Sequence, residues 1–156
     1  MIAEKLNFLR ETFPTRLKKL KGDEKPLWGK MNPQQMVEHM TGSFRIADEK
    51  IIQEIKTPPD RLASYKTFMM SEKEFRPNTR NALMGEEPEP VVNENFEKAV
   101  SELEQEINDF IEYFRDQPGK STTNGVFGDL VFEEWVQLLH KHSVHHLKQF
   151  GLLPSP

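Results

Sequence analysis

Apolar residues recur at helical spacings along four stretches of this chain, the first of which occupies its first twenty residues. The apolar positions there are Ile2, Leu6, Leu9, Phe13, Leu17 and Leu20. Side chains three or four positions apart lie on the same face of a helix, so this spacing predicts an amphipathic helix. Pro14 lies inside the stretch and should kink or split the helix, because proline has no backbone N–H.

A second helix is predicted by start signals at residues 32–35. Asn32 suits the N-cap, Pro33 suits the first helical position, and Gln35 is placed to reach back as in a capping box. The apolar side of this helix then carries Met36, Met40, Phe44, Ala47 and Ile51.

The third helix has the clearest pattern in the chain, with apolar residues at Phe96, Val100, Leu103, Ile107, Phe110 and Phe114. A fourth helix should begin near Phe132 and end at Gly151, which suits a C-cap. No strand alternation of useful length appears, and the connection between these helices is Gly-rich (Gly119, Asn124-Gly125 and Gly128). Four amphipathic helices predict an all-α four-helix bundle.

Residues 54–93 form a proline-containing connection with weak periodicity, although residues 62–70 could form a short helix. Irregular connections of this length are uncommon in compact domains unless they serve a site. A length of 156 residues suits one domain with a core of its own, so residues 1–156 are predicted to form a single domain.

Composition narrows the function classes. The net charge of -4 and a pI near 5.8 argue against nucleic acids and acidic membranes as partners. The absence of cysteine excludes disulfides, thiolate metal ligands and a cysteine nucleophile, so any thiol chemistry would need a thiol from a cosubstrate. No signal-peptide core and no membrane span are apparent, and a cytoplasmic protein is predicted.

The last predicted helix holds four of the five histidines within seven residues. Because His142 and His146 are four positions apart, both imidazoles lie on the same face of the helix. In helical projection, this is the face that carries the apolar residues. His140 projects about 160° from His142 and is expected in solvent, whereas His145 lies about 60° away, on the flank. His142 and His146 are therefore the favoured pair of metal ligands.

His39 would complete a three-histidine site if the second and fourth helices face each other. In helical projection it lies between Met36 and Met40, near the buried side. Three neutral imidazoles with an open fourth position are typical of catalytic zinc sites, where the ion acts as a Lewis acid. The predicted cofactor is a divalent metal, zinc or nickel first and iron or manganese next, since all of them accept imidazole.

Four further side chains are candidates to orient the ligands or a substrate. Gln35 and Ser43 lie four residues on either side of His39, Gln149 lies on the last helix, and His145 flanks the ligand face. A different interpretation also stays open. Histidines that face a core often only form hydrogen bonds, and histidines near a helix end can interact with the helix dipole.

Two motifs carry a resemblance to a known family. The stretch 28–40, WGKMNPQQMVEHM, resembles the start of the second helix in the DinB/YfiT-like superfamily. The stretch 142–149, HSVHHLKQ, is similar to that superfamily's fourth-helix motif, H-x-x-x-H followed by a basic residue and Gln. Residues 127–130, 133–135 and 149–151 further resemble a DinB-like branch whose members mostly lack an assigned function.

The resemblance implies an up-down-down-up four-helix bundle, often a homodimer, with one divalent metal held by His39, His142 and His146. Characterised members of the superfamily include thiol-dependent transferases and isomerases that use small cellular thiols. The sequence departs from the pattern at Lys148, where arginine is common, and at Asn124-Gly125, where a His-Pro pair is expected in the branch.

Three functional hypotheses follow. The first is a metal-dependent enzyme, a transferase or a hydrolase, in which the metal activates a thiol or water toward a small-molecule substrate. The second is a non-catalytic metal-binding or interaction bundle in which the metal is structural and stabilises the bundle or a dimer interface. The third makes the histidines purely structural.

Overall fold

The computed structural model describes residues 2–77 and 87–154, which contain five helices and one two-stranded sheet. Helix α1 covers residues 2–17 and consists of α-helical Ile2–Asn7, π-helical Phe8–Thr12 and α-helical Phe13–Leu17. The other elements, in chain order, are α2 (Pro33–Ala47), α3 (Pro59–Met70), α4 (Phe96–Arg115), β1 (Ser121–Asn124), β2 (Gly128–Val131) and α5 (Phe132–Gln149).

The prediction of an all-α four-helix bundle is wrong. The described chain has a fifth helix, α3, and an antiparallel hairpin in which Thr122 pairs with Leu130. Oδ1 of Asn124 accepts hydrogen bonds from the backbone N–H groups of Val126 and Phe127, and Gly128 has a left-handed φ of 85°. An Asn-Gly pair is a hairpin signal, but strands of four residues are too short for alternation to be visible.

The helix start signals at residues 32–35 act as predicted. Oδ1 of Asn32 accepts from the backbone N–H of Gln35, and Oε1 of Gln35 accepts from the backbone N–H of Asn32. The short helix predicted over residues 62–70 falls inside α3. At Pro14 the helix does not break. Instead, the preceding turn is widened, and the backbone N–H of Phe13 donates to the carbonyl of Phe8.

One cluster of buried apolar side chains contains residues of all five helices and β2. Its largest fully buried members include Phe13, Phe44, Phe110 and Trp135. Thr122 joins three elements inside this core, because its hydroxyl donates to the carbonyl of Ala47 and accepts from the indole N–H of Trp135, both at 2.7 Å. Within the described ranges, no helix combines the length and the apolar character needed to cross a lipid bilayer.

The contact between α2 and α4 ends in a buried pair of carboxyl groups. Asp48, at the C-cap of α2, and Glu106 on α4 are 4% and 3% exposed. Nζ of Lys50 lies 2.7 Å from a carboxylate oxygen of Glu106 and 2.7 Å from one of Asp109. Burial, together with the hydrogen bond and the charge of Glu106, raises the pKa of Asp48 to about 7. Asp48 is therefore partly protonated near neutral pH.

Candidate metal centre

Three histidine side chains from two helices converge on one point. Nε2 of His142 on α5 lies 3.0 Å from Nε2 of His39 on α2 and 2.9 Å from Nε2 of His146, one turn further along α5. All the ligand atoms of the group lie within 4.8 Å of one another. The two helices thus face each other at the histidines, which brings these three predicted residues together.

Helix phase explains the convergence. His39 lies on α2 between Met36 and Met40, which are both fully buried. On α5 the buried Trp135 and Leu139 lie on the side of the helix that carries His142 and His146. Because residues four apart share a helix face, His142 and His146 are presented together. His146 is buried, and the other two histidines are half-buried.

The donor set fits a divalent metal. In a tetrahedral zinc site with Zn–N distances of about 2.0–2.1 Å, ligand nitrogens lie roughly 3.3 Å apart. The two N···N distances to His142 are within a few tenths of an ångström of that value. A small adjustment of the side chains would let three Nε2 atoms hold one ion, and imidazole is a ligand that zinc, nickel, iron and manganese all accept.

Gln149 fixes which nitrogen of His146 carries the proton. Nε2 of Gln149 donates to the carbonyl of Trp28 at 3.0 Å, which turns the amide oxygen toward His146. That oxygen can only accept, so Nδ1 of His146, 2.7 Å away, is the donor. A neutral imidazole with its proton on Nδ1 has its lone pair on Nε2. Gln149 therefore directs the lone pair of His146 into the centre.

Burial and mutual repulsion keep the three histidines unprotonated. Burial first, and then the charges of the neighbouring histidines, lower the pKa of His142 and His146 well below 6.5. The same causes, with His145 as the charged neighbour, lower the pKa of His39 to about 4. Neutral imidazole is the form that binds a metal, so all three histidines are in the metal-binding form at neutral pH.

The other predicted orienting residues divide between the centre and its surroundings. Ser43 donates to the carbonyl of His39, and its oxygen makes a long contact of 3.5 Å with Nδ1 of His142. Gln35 does not reach the centre. Its amide oxygen caps α2, and its amide nitrogen donates to the carbonyl of Glu89. The capping contact with Asn32, three residues away, holds the side chain of Gln35, which therefore does not turn toward the three histidines.

The two remaining histidines of α5 are not part of the three-histidine group. His145 forms a hydrogen bond with the backbone of Phe75, and its ring lies 5.4 Å from that of Trp28. His140 was expected in solvent, but it is half-buried with its ring edge-on to Phe8 at 4.8 Å. Helical phase placed it correctly on the opposite face of α5, but phase alone did not reveal that α1 covers that face.

Sequence reasoning missed two residues near the centre. Phe75 lies with its ring centroid 6.2 Å from that of His142, and Trp28 contributes the carbonyl that orients Gln149. A lone aromatic residue between Glu74 and Arg76, in a segment without periodicity, was the available signal for Phe75.

Gln149→Leu is predicted to weaken metal binding about 10- to 100-fold, because residues that orient metal-ligating histidines typically contribute that much. The substitution keeps the size of the side chain but leaves Nδ1 of His146 without its acceptor. The Kd for Zn²⁺, measured by competition with a chromophoric chelator, checks the prediction. Gln117→Leu, which removes an amide at the far end of α4, is the matched control and should leave the Kd unchanged.

Comparisons of the chain with protein-family models, with curated proteins and with solved structures returned no match.

Proposed function

We propose that the protein is a metal-dependent enzyme in which His39, His142 and His146 hold one divalent ion, zinc or nickel first and iron or manganese next. The observation that carries this proposal is the convergence of three Nε2 atoms from α2 and α5. The three residues supply only neutral nitrogen ligands, which leaves the ion its full positive charge.

A divalent metal on three imidazoles supplies Lewis acidity, which lowers the pKa of a thiol or of water and turns it into a nucleophile at neutral pH. The residues around the ion orient the ligands and keep them neutral. Gln149 and the carbonyl of Trp28 fix the orientation of His146, and burial keeps the imidazoles neutral. The proposed reaction is transfer of a small cosubstrate thiol to an electrophilic small molecule, or hydrolysis of that molecule.

We further propose that the chain is a distant member of the DinB/YfiT-like superfamily. In support, its two motifs lie on the helices whose histidines converge. At the first departure from the pattern, Lys148 keeps a basic role, since Nζ lies 2.6 and 2.7 Å from the carboxylate oxygens of Glu74. At the second, Asn124 serves the hairpin turn. A cytoplasmic location, where small thiols stay reduced, belongs to the same proposal.

A non-catalytic metal site is the second candidate. The observation in its favour is that a cleft of about 110 Å³, lined by Lys5, Gln137, His140 and Lys141 among others, includes none of the three converging histidines. A structural metal would be fully coordinated and closed to small molecules, whereas a catalytic one must accept a further ligand.

Cobalt substitution separates the two candidates. Protein loaded with one equivalent of Co²⁺ should show the intense visible absorption of a four-coordinate ion, and mercaptoethanol should change that spectrum if an outside ligand can bind. A spectrum that stays the same up to high thiol concentration would favour the structural metal. Failure of the wild-type protein to take up stoichiometric metal would overturn both candidates.

Turnover is tested with the Zn²⁺ and Ni²⁺ forms. Consumption of a small thiol in the presence of a panel of electrophiles should exceed the rate with His39→Ala protein treated in the same way. Hydrolysis of ester and amide substrates by the same two proteins tests the water-activating variant of the proposal.

A further inference from the structure

A stripe of polar side chains on α5 holds the segment that follows α3 in position. It consists of Gln137, Lys141, His145 and Lys148. Nε2 of Gln137 donates to the carbonyls of Met69 and Ser71 at 3.2 and 3.0 Å. One turn later, Nζ of Lys141 donates to the carbonyl of Ser71 at 2.9 Å and also to that of Lys73. The backbone just after α3 is thus tied to α5 through buried side chains on neighbouring turns of the helix.

The stripe continues past the metal centre and holds the end of the same segment. His145 bonds to the backbone of Phe75, and Lys148 forms a two-oxygen ion pair with Glu74. Residues 71–75, here called the strap, therefore run along α5 beside the face that carries His142 and His146. Because most of the tethers reach backbone carbonyls or pair opposite charges, the strap has a defined position.

The strap places one aromatic ring against His142, a proposed ligand, and against the neighbouring His145. The ring of Phe75 lies 6.2 Å from that of His142 and 6.0 Å from that of His145, centroid to centroid. The ring of Phe68, 5.6 Å away, supports it from α3. These distances fall in the range of favourable aromatic pairs.

Trp28 is a second aromatic residue in contact with His145. Its indole ring lies 5.4 Å from the imidazole of His145, which in turn lies 5.2 Å from that of His146. Among residues 2–77 and 87–154, its buried Nε1 is without a hydrogen-bond partner. A buried donor with no partner costs free energy unless a bound molecule or water accepts from it.

We propose that Phe75 is a specificity-determining residue of the metal centre, and that the centre selects a small thiol with an apolar, preferably aromatic, group next to the sulfur. This inference rests on the proposed function, because it concerns the outside ligand of the metal. The strap holds Phe75 where the apolar group of that ligand packs, and the indole ring of Trp28 is a second aromatic group beside His145.

The test compares two thiols on Co²⁺-loaded protein, followed by visible absorption. The wild-type protein is expected to bind benzyl mercaptan more tightly than mercaptoethanol, and Phe75→Ala should reduce that preference about twofold to tenfold, the range of one aromatic pair. Phe75→Leu keeps apolar bulk without the ring and should give an intermediate preference. Tyr65→Ala, which removes an exposed ring on α3, is the matched control and should keep the wild-type preference.

The outcomes distinguish the inference from the function on which it rests. If wild type and Phe75→Ala take up Co²⁺ equally and show the same preference between the thiols, the role of Phe75 is refuted and the metal centre is not. An equal loss of preference in Tyr65→Ala would also overturn the inference. If the wild-type protein takes up no Co²⁺, the proposed function fails and the inference fails with it.

Discussion

His39→Ala is expected to abolish stoichiometric binding of a divalent metal, together with the stabilisation that the metal gives to the folded chain. A metal present at roughly a thousand times its Kd, and bound only by the folded state, raises the free energy of unfolding by about 4 kcal/mol. The site requires α2 and α5 to face each other, so the unfolded chain lacks it. Chemical unfolding with and without Zn²⁺, combined with metal analysis, measures both effects.

His140→Ala is the matched control. His140 is half-buried, as His39 is, and burial lowers the pKa of both histidines to about 4. The ring of His140, however, packs against Phe8 and not against the three converging histidines. The control should lose some stability from packing while keeping one metal per chain and the full gain from Zn²⁺. If His39→Ala kept that gain as well, the metal would be bound elsewhere and the proposed centre would be wrong.

Asp48→Asn is expected to stabilise the protein increasingly as the pH rises. The pKa of Asp48 is about 7 in the folded state, against an ordinary value of 3.8. A group with a raised folded pKa gives a stabilisation that is fully present below the unfolded pKa and lost as the pH passes the folded pKa. At about 1.4 kcal/mol per pKa unit, the loss is on the order of 4 kcal/mol. Asparagine can donate to Glu106 as the protonated acid does, and it cannot ionise.

The comparison must be made between proteins at each pH, because the histidines act in the opposite direction. Their lowered pKa values make the wild-type protein more stable as the pH rises toward 6.5, and this trend cancels in the difference between variant and wild type. The free energy of unfolding in urea, measured from about pH 4 to about pH 8, gives that difference. Arg45, Glu102, Lys50 and Asp109 surround the pair and are unchanged in the variant.

Asp109→Asn provides a control of opposite sign. Its carboxylate bonds to Lys50 and Gln105, which lower its pKa, so its contribution to stability is present above the ordinary pKa and lost in acid. The carboxylate is partly exposed, so its removal should cost less than about 1 kcal/mol near neutral pH. A difference between Asp48→Asn and wild type that did not change with pH would show that Asp48 is ionised in the folded protein.

Much of the candidate metal centre could be predicted from the sequence because the convergence of the three histidines depends on helix phase. A repeat of 3.6 residues is a property of the backbone, so the spacing between His142 and His146 was enough to place both on one face. His39 could be added because apolar neighbours marked its side of α2 as buried. The orienting role of Gln149 followed from the same helix phase. Its partner, the carbonyl of Trp28, lies in a segment without periodicity, so that contact could not be predicted.

The hairpin and the strap could not be predicted, for two different reasons. Each strand has four residues, too few to show an alternating pattern, and only Asn124-Gly125 signalled the turn. The strap, residues 71–75, has no secondary structure and is positioned by side chains of α5 that lie more than sixty residues further along the chain. The side chain of Gln35 could have contacted either the ligand histidines or the start of its own helix. It caps the helix at Asn32, because a contact between residues three positions apart is local.

The hydrogen bond between Gln149 and residue 28 has a consequence for how this centre can change in evolution. Residue 28 orients His146 through its backbone carbonyl, which every amino acid possesses, while its side chain forms a wall beside His145. The two contributions are separable at one position. Under the proposed function, a substitution there alters which molecules the centre accepts while the orientation of His146 is inherited unchanged, so selectivity can diverge among descendants without renewed selection at the ligand histidines.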